Sequence, residues 1–166
     1  MTWMAFLAVA LTASPTETVD PEDACRAAST ILKDMRYTGG GRHAEPDDFS
    51  HPAVAERIGR CAEVAALAAP HGPDVTFATI AVAYRETNFT PHVQGRAGEM
   101  GMLQVLPRYH CRPYKDLHEE PGGCTDPERA GVRALRLAMA GRSLEAALGR
   151  YNGSNAYGVT VARLAR

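Results

Sequence analysis

Val75-Thr76-Phe77-Ala78-Thr79-Ile80-Ala81-Val82-Ala83-Tyr84-Arg85-Glu86-Thr87 is nearly all apolar as far as Ala83 and then turns polar. A helix that is apolar on most sides is usually central and buried, so this stretch predicts a core helix with other helices around it. His71-Gly72-Pro73-Asp74 precedes it as a turn, with Asp74 as the candidate cap. The end of the stretch is its unusual part. Glu86 closes a buried helix, although an ionised acid is costly to desolvate.

Outward from this helix the chain keeps helical spacing. Pro21-Glu22-Asp23 opens a helix whose apolar positions are Ala24, Ala28, Ile31, Leu32 and Met35, and Gly39-Gly40-Gly41 ends it. Arg42 to Ser50 is polar and loop-like. Ser50 and Pro52 start a second helix, which Val54, Ile58, Cys61, Ala62, Ala65 and Leu67 carry to Pro70. After Glu86, Gly95, Gly98 and Gly101 break the pattern and predict a loop or small hairpin, with a short helix at the end of Met102 to Pro107. Asp126-Pro127 starts a helix built on Val132, Leu135, Leu137 and Met139, and Gly141 stops it. Ser143 starts another, through Leu148 to Tyr151. Asn152-Gly153 is a turn, and a last helix runs from about Ala156 to Leu164. The expectation is a mainly α chain of six or seven helices.

Composition narrows the function classes. The 166 residues fit one domain and a short leader. With 18 Lys+Arg against 19 Asp+Glu, the chain has no general attraction for nucleic acid or anionic membranes. Met1 to Leu11 is apolar and is followed by Thr12-Ala13-Ser14-Pro15. It reads as a secretory signal peptide over residues 1–14, although no Lys or Arg precedes the run. It is too short to cross a bilayer, which takes about 20 apolar residues, so no membrane span is expected after processing. Cys25, Cys61, Cys111 and Cys124 form no CxxC pair, and an even count behind a signal peptide predicts two disulfides in an oxidising compartment, periplasmic or extracellular. Three pairings exist. Cys111 and Cys124 flank the Pro/Gly-rich CRPYKDLHEEPGGC loop, which a bridge would staple; Cys25 would then join Cys61. The six histidines show no HExxH or other ligand spacing, and neither GxGxxG nor GxxxxGK occurs, so no metal, nucleotide or other cofactor is expected.

Three separated segments carry the chemistry: Arg85-Glu86-Thr87-Asn88-Phe89-Thr90-Pro91, Gly98-Glu99-Met100-Gly101-Met102-Leu103-Gln104-Val105-Leu106-Pro107, and Ala146-Ala147-Leu148-Gly149-Arg150-Tyr151-Asn152-Gly153. In order and spacing they resemble the soluble lytic transglycosylases, the glycosidase family that includes goose-type lysozyme. That family carries Glu-Ser with Asn-Phe-x-Pro, then Gly-x-x-Gly-Leu-Met-Gln-x-x-Pro, then Ala-x-Tyr-Asn-Ala/Gly-Gly. The likeness covers about Phe77 to Gly153, roughly half the chain. Thr87 stands where the family has Ser and keeps its hydroxyl. Met102-Leu103 replaces Leu-Met with little change of volume. Glu99 stands where Ala is frequent. The resemblance implies a lysozyme-like single domain over residues 21–166 that acts on the glycan strands of peptidoglycan. Envelope-spanning secretion, pilus or phage machines are the partners such enzymes often serve.

The residue chemistry agrees. Protonating a glycosidic oxygen near neutral pH takes a carboxylic acid whose pKa burial has raised, and Glu86 at the end of an apolar helix meets that requirement. The resemblance places Thr87, Met102, Gln104, Tyr151 and Asn152 around the substrate. By residue type, Met100, Met102 and Leu103 can equally be packing, Asn152 a turn residue, and Gln104 a buried amide. Ordinary glycosidases use two carboxylates. The resemblance implies instead a single Glu acting first as acid and then as base, closing a 1,6-anhydro ring on N-acetylmuramic acid. Goose-type lysozymes carry an Asp just after the Gln; here Val105 and Leu106 follow, and no acid appears until Asp116. The alternatives are a hydrolytic muramidase using Glu86 with Glu99, and a non-catalytic peptidoglycan-binding module.

Overall fold

The computed structural model of the chain describes residues 19–31, 52–110 and 126–165. The stretch expected to be a signal peptide (1–14), the three glycines at 39–41 and the Cys111–Cys124 segment, with the bridge expected there, lie outside the described residues. Among those described are seven α-helices: α1 (Pro21–Ile31), α2 (Pro52–Ala68), α3 (Pro73–Thr87), α4 (Pro107–His110), α5 (Pro127–Met139), α6 (Leu144–Asn152) and α7 (Asn155–Leu164), with a 3-10 turn at Ala69–His71. The chain is a mainly-α single domain. The expected hairpin is a loop with two isolated antiparallel bridges, Gln94 with Met100 and Met100 with Val105. No described helix is long and apolar enough to cross a membrane.

α3 is the central element and touches α1, α2, α5 and α7. Its residues from Ala78 to Ala83 are all buried, along with Val75 and Thr76. Asp74 does not cap it. Gly72, at φ 95°, is the N-cap, and Pro73 opens the helix without a backbone N–H to satisfy. At the other end Asn88 and Phe89 both take left-handed backbone angles, φ 51° and 58°. Asn tolerates that conformation, and the reversal tucks Phe89 into the core at 1% exposure. α3 therefore stops directly after Glu86 and Thr87.

Four of the other helices, α1, α5, α6 and α7, start on side-chain caps. Asp20 accepts from the N–H groups of Glu22 and Asp23 at 2.9 Å. Asp126 caps α5 through Arg129 N–H, Ser143 caps α6, and Ser154 caps α7. Cys25 and Cys61 form a disulfide that ties α1 to α2. α6 and α7 cross closely because Gly158 has no side chain: a Cβ there would meet the Glu145 carbonyl oxygen at 2.2 Å. On α5, Val132 and Leu135 are buried, while Leu137 is half-buried and lines a cleft.

Candidate active site

The cleft is a cavity of about 810 Å³ lined by residues of α3, the loop after it, α4, α5 and α6. Of the residues singled out from sequence, Glu86, Gln104, Tyr151 and Asn152 line it, and Glu99 lies on it as well. Three segments far apart in the chain thus converge on one depression. Thr87 and Met102 are not among its lining residues. Met102 is only 4% exposed and packs in the core, and the Thr87 hydroxyl is turned to backbone.

Where those hydroxyls go explains how the site is held. The Thr87 hydroxyl sits 3.2 Å from the Ala83 carbonyl and 3.1 Å from the Met102 carbonyl and shares its proton between them. The Tyr151 hydroxyl donates to the Leu103 carbonyl at 2.8 Å. The Met102 N–H donates to Glu128 Oε1 at 3.0 Å. Side chains of α3, α6 and α5 therefore hold one dipeptide of the loop, Met102-Leu103, from three sides. Gly131 gives the loop room on α5, since a Cβ there would meet Leu103 Cδ1 at 2.5 Å. Buried backbone groups need such partners, and the result fixes the loop beside Glu86.

Gln104 has φ 48°, and its amide nitrogen donates to the Gly101 carbonyl at 2.9 Å and the Val93 carbonyl at 3.2 Å. Both amide hydrogens are thus committed to the loop, and Oε1 is the atom left for a ligand. Glu99 folds back over the same loop, with Oε2 accepting the Ala97 N–H at 2.9 Å. The ends of both side chains crowd over Gly95, where an added Cβ would meet Glu99 Oε2 at 2.2 Å and Gln104 Oε1 at 2.9 Å.

Three further residues shape the site without having been singled out. His110 is buried against the Tyr151 ring, with ring centroids 4.7 Å apart. The Leu106 N–H donates to its Nδ1 at 2.9 Å, which leaves Nε2–H to donate to the Tyr151 carbonyl at 3.2 Å. Glu128 accepts from Met102 as described. Tyr157 on α7 has a buried hydroxyl beside the Glu86 carboxylate, without a partner at full hydrogen-bond geometry. Burial first, and then Glu86, hold the Tyr157 and Tyr151 hydroxyls well above the usual phenol range, Glu128 adding to the effect at Tyr151. Both are therefore protonated at any working pH. Glu86 itself is half-buried and open to the cleft, a carboxyl edged by neutral hydroxyl groups.

Such an arrangement can deliver a proton to a ligand oxygen from the Glu86 carboxyl and offer polar contacts to a sugar. Neither a family model, nor a curated protein, nor a solved structure matches the chain.

Proposed function

We propose that the chain is a peptidoglycan lytic transglycosylase that cleaves the bond between N-acetylmuramic acid and N-acetylglucosamine. The observation that carries this reading is the convergence of Glu86, Gln104, Tyr151 and Asn152 on one cleft at the end of a buried helix. The Glu86 carboxylic acid donates its proton to the glycosidic oxygen as the C1–O bond breaks, and the N-acetylglucosamine side leaves with a free hydroxyl. The resulting carboxylate takes the proton of the C6 hydroxyl of the muramic acid. O6 bonds to C1, a 1,6-anhydro end forms, and Glu86 returns to its acid form. The substrate's own N-acetyl group assists at C1, so no second carboxylate is required. A tethered hydroxyl outruns water through its high effective concentration. Export to a periplasmic or extracellular compartment belongs to the same reading. It is supported by the Cys25–Cys61 disulfide, a bond that persists in oxidising surroundings. Service to an envelope-spanning machine is a further part of it.

Glu99 favours a second reading, because its carboxylate lies on the same cleft. In a hydrolytic muramidase it would activate water. Its bond to Ala97 N–H and its place over Gly95 give it a loop-holding role that requires no chemistry. Mass spectrometry of digested sacculi separates the two. A transglycosylase leaves muropeptides one water lighter than lysozyme products and inert to borohydride, and Glu99→Ala changes its rate little. Predominantly reducing ends, with activity lost in Glu99→Ala, would assign hydrolysis instead. Glu86→Gln should fall below a few per cent of wild-type turnover on either reading; no cleavage by the wild type would leave a glycan-binding module.

A further inference from the structure

The cleft holds more charge than glycan cleavage requires. Arg142, in the turn between α5 and α6, and Arg150, on α6, both line it. Among the described residues neither guanidinium belongs to an ion pair. Arg142 is held in place, its Nη1 donating to the Ala138 carbonyl at 3.1 Å and the Ala140 carbonyl at 3.2 Å. Nη2 and Nε are left free to donate. Arg150 directly precedes Tyr151 and is exposed. Neither cleft carboxylate neutralises the two cations: Glu99 is bonded to the loop at Ala97, and Glu86 stands beside Tyr157.

Two unpaired guanidiniums in a binding cleft match a carboxylate ligand, which they can grip with paired N–H donors. A glycan strand offers no charge along its sugars once the lactyl group of muramic acid is joined to peptide. The anions of such a polymer are the free carboxylates of its peptide stems. We infer that the Arg142 and Arg150 side of the cleft binds stem-peptide carboxylates, so that the protein selects glycan that carries peptides. This inference rests on the peptidoglycan reading above and adds the feature of the substrate that is recognised.

The test is binding, which needs no turnover. Full-length Glu86→Gln protein is titrated with three probes: a disaccharide-tetrapeptide muropeptide, the same muropeptide with its carboxyls converted to amides, and the peptide-free disaccharide, which has a free lactyl carboxylate. Exposed pairs are weak, so the free acid should bind roughly three- to fivefold tighter than the amide per arginine engaged. That preference should fade at about 0.5 M salt, where charges are screened within a few ångströms. Adding Arg150→Gln, an exposed substitution that spares the fold, should cut the preference to the roughly three- to fivefold that Arg142 alone supports. Equal binding of acid and amide, or a preference undiminished by Arg150→Gln, overturns the inference, as does a failure of both muropeptides to bind. A peptide-free disaccharide that binds as tightly as the free acid reassigns the anion to the lactyl group and also overturns it. Wild-type protein that cleaves sacculi but shows no preference defeats the inference alone; an intact preference without cleavage defeats the activity alone.

Discussion

Two tyrosines at the site, Tyr151 and Tyr157, separate holding from chemistry. The Tyr151 hydroxyl has a partner, the Leu103 carbonyl at 2.8 Å, and removing it leaves a buried acceptor unpaired. Tyr151→Phe should therefore destabilise the fold by about 1–2 kcal/mol. The Tyr157 hydroxyl has no such bond, so Tyr157→Phe should leave stability within about 0.5 kcal/mol of wild type. Because that hydroxyl borders the Glu86 carboxylate, the same substitution should still slow cleavage. Thermal melts and initial rates on the two variants check the contrast, and equal stability losses would contradict it. Both hydroxyls ionise far less readily in the folded chain than a free phenol does. A raised folded pKa gives stability that is whole below the unfolded value of about 10 and is lost as pH rises beyond it. Denaturant midpoints should accordingly fall above pH 10, and less steeply in the double Phe variant.

At the scale of elements, the loop between α3 and α4 decides whether the site exists. Gly95 is the position where two cleft side chains, Glu99 and Gln104, close over the backbone. Gly95→Ala pushes against the ends of flexible side chains, so folding should survive with a loss of about 1 kcal/mol or less. Glu99 and Gln104 must swing away, and cleavage should drop several-fold with little change in melting temperature. A normal rate would show that neither position matters to the reaction. Much of this level was legible in the sequence. Pro, Gly and Ser punctuate the helices, and the 3.6-residue spacing of apolar positions survives tertiary packing, so all seven described helices fall close to where the pattern places them. Asp74 was misleading because Gly-Pro outweighs it: Pro73 fits the first helical position and moves the start upstream. The bonds that fix Met102-Leu103 were not legible. They join residues 15, 26 and 48 positions apart, and local spacing carries no record of them. Thr87 and Tyr151 stand out by motif, yet their hydroxyls serve the loop, a role that only packing reveals.

At the scale of the molecule, the candidate site and the staple occupy different regions. Every described residue lining the cleft lies between Glu86 and Gly153, whereas Cys25–Cys61 joins α1 to α2, which contribute none. α1 packs on α2 and on α3, and with Ala24 and Cys25 buried it completes the core on that side. The bridge spans 36 positions of sequence, so by chain entropy it restricts the unfolded state by about 4 kcal/mol. In a chain of this size that corresponds to a melting temperature lowered by roughly 10 °C when the bridge is removed. The double variant Cys25→Ser, Cys61→Ser should show that drop. At 25 °C it should still cleave at close to the wild-type rate, because α3 and the loop it anchors are held from the other side by α5, α6 and α7. If activity instead fell in proportion to the loss of stability, α1 and α2 would be setting the position of Glu86 through α3, and the cleft would depend on the whole helical assembly. Measuring rate and melting temperature on the same preparation distinguishes a staple that preserves the fold from one that shapes the cleft.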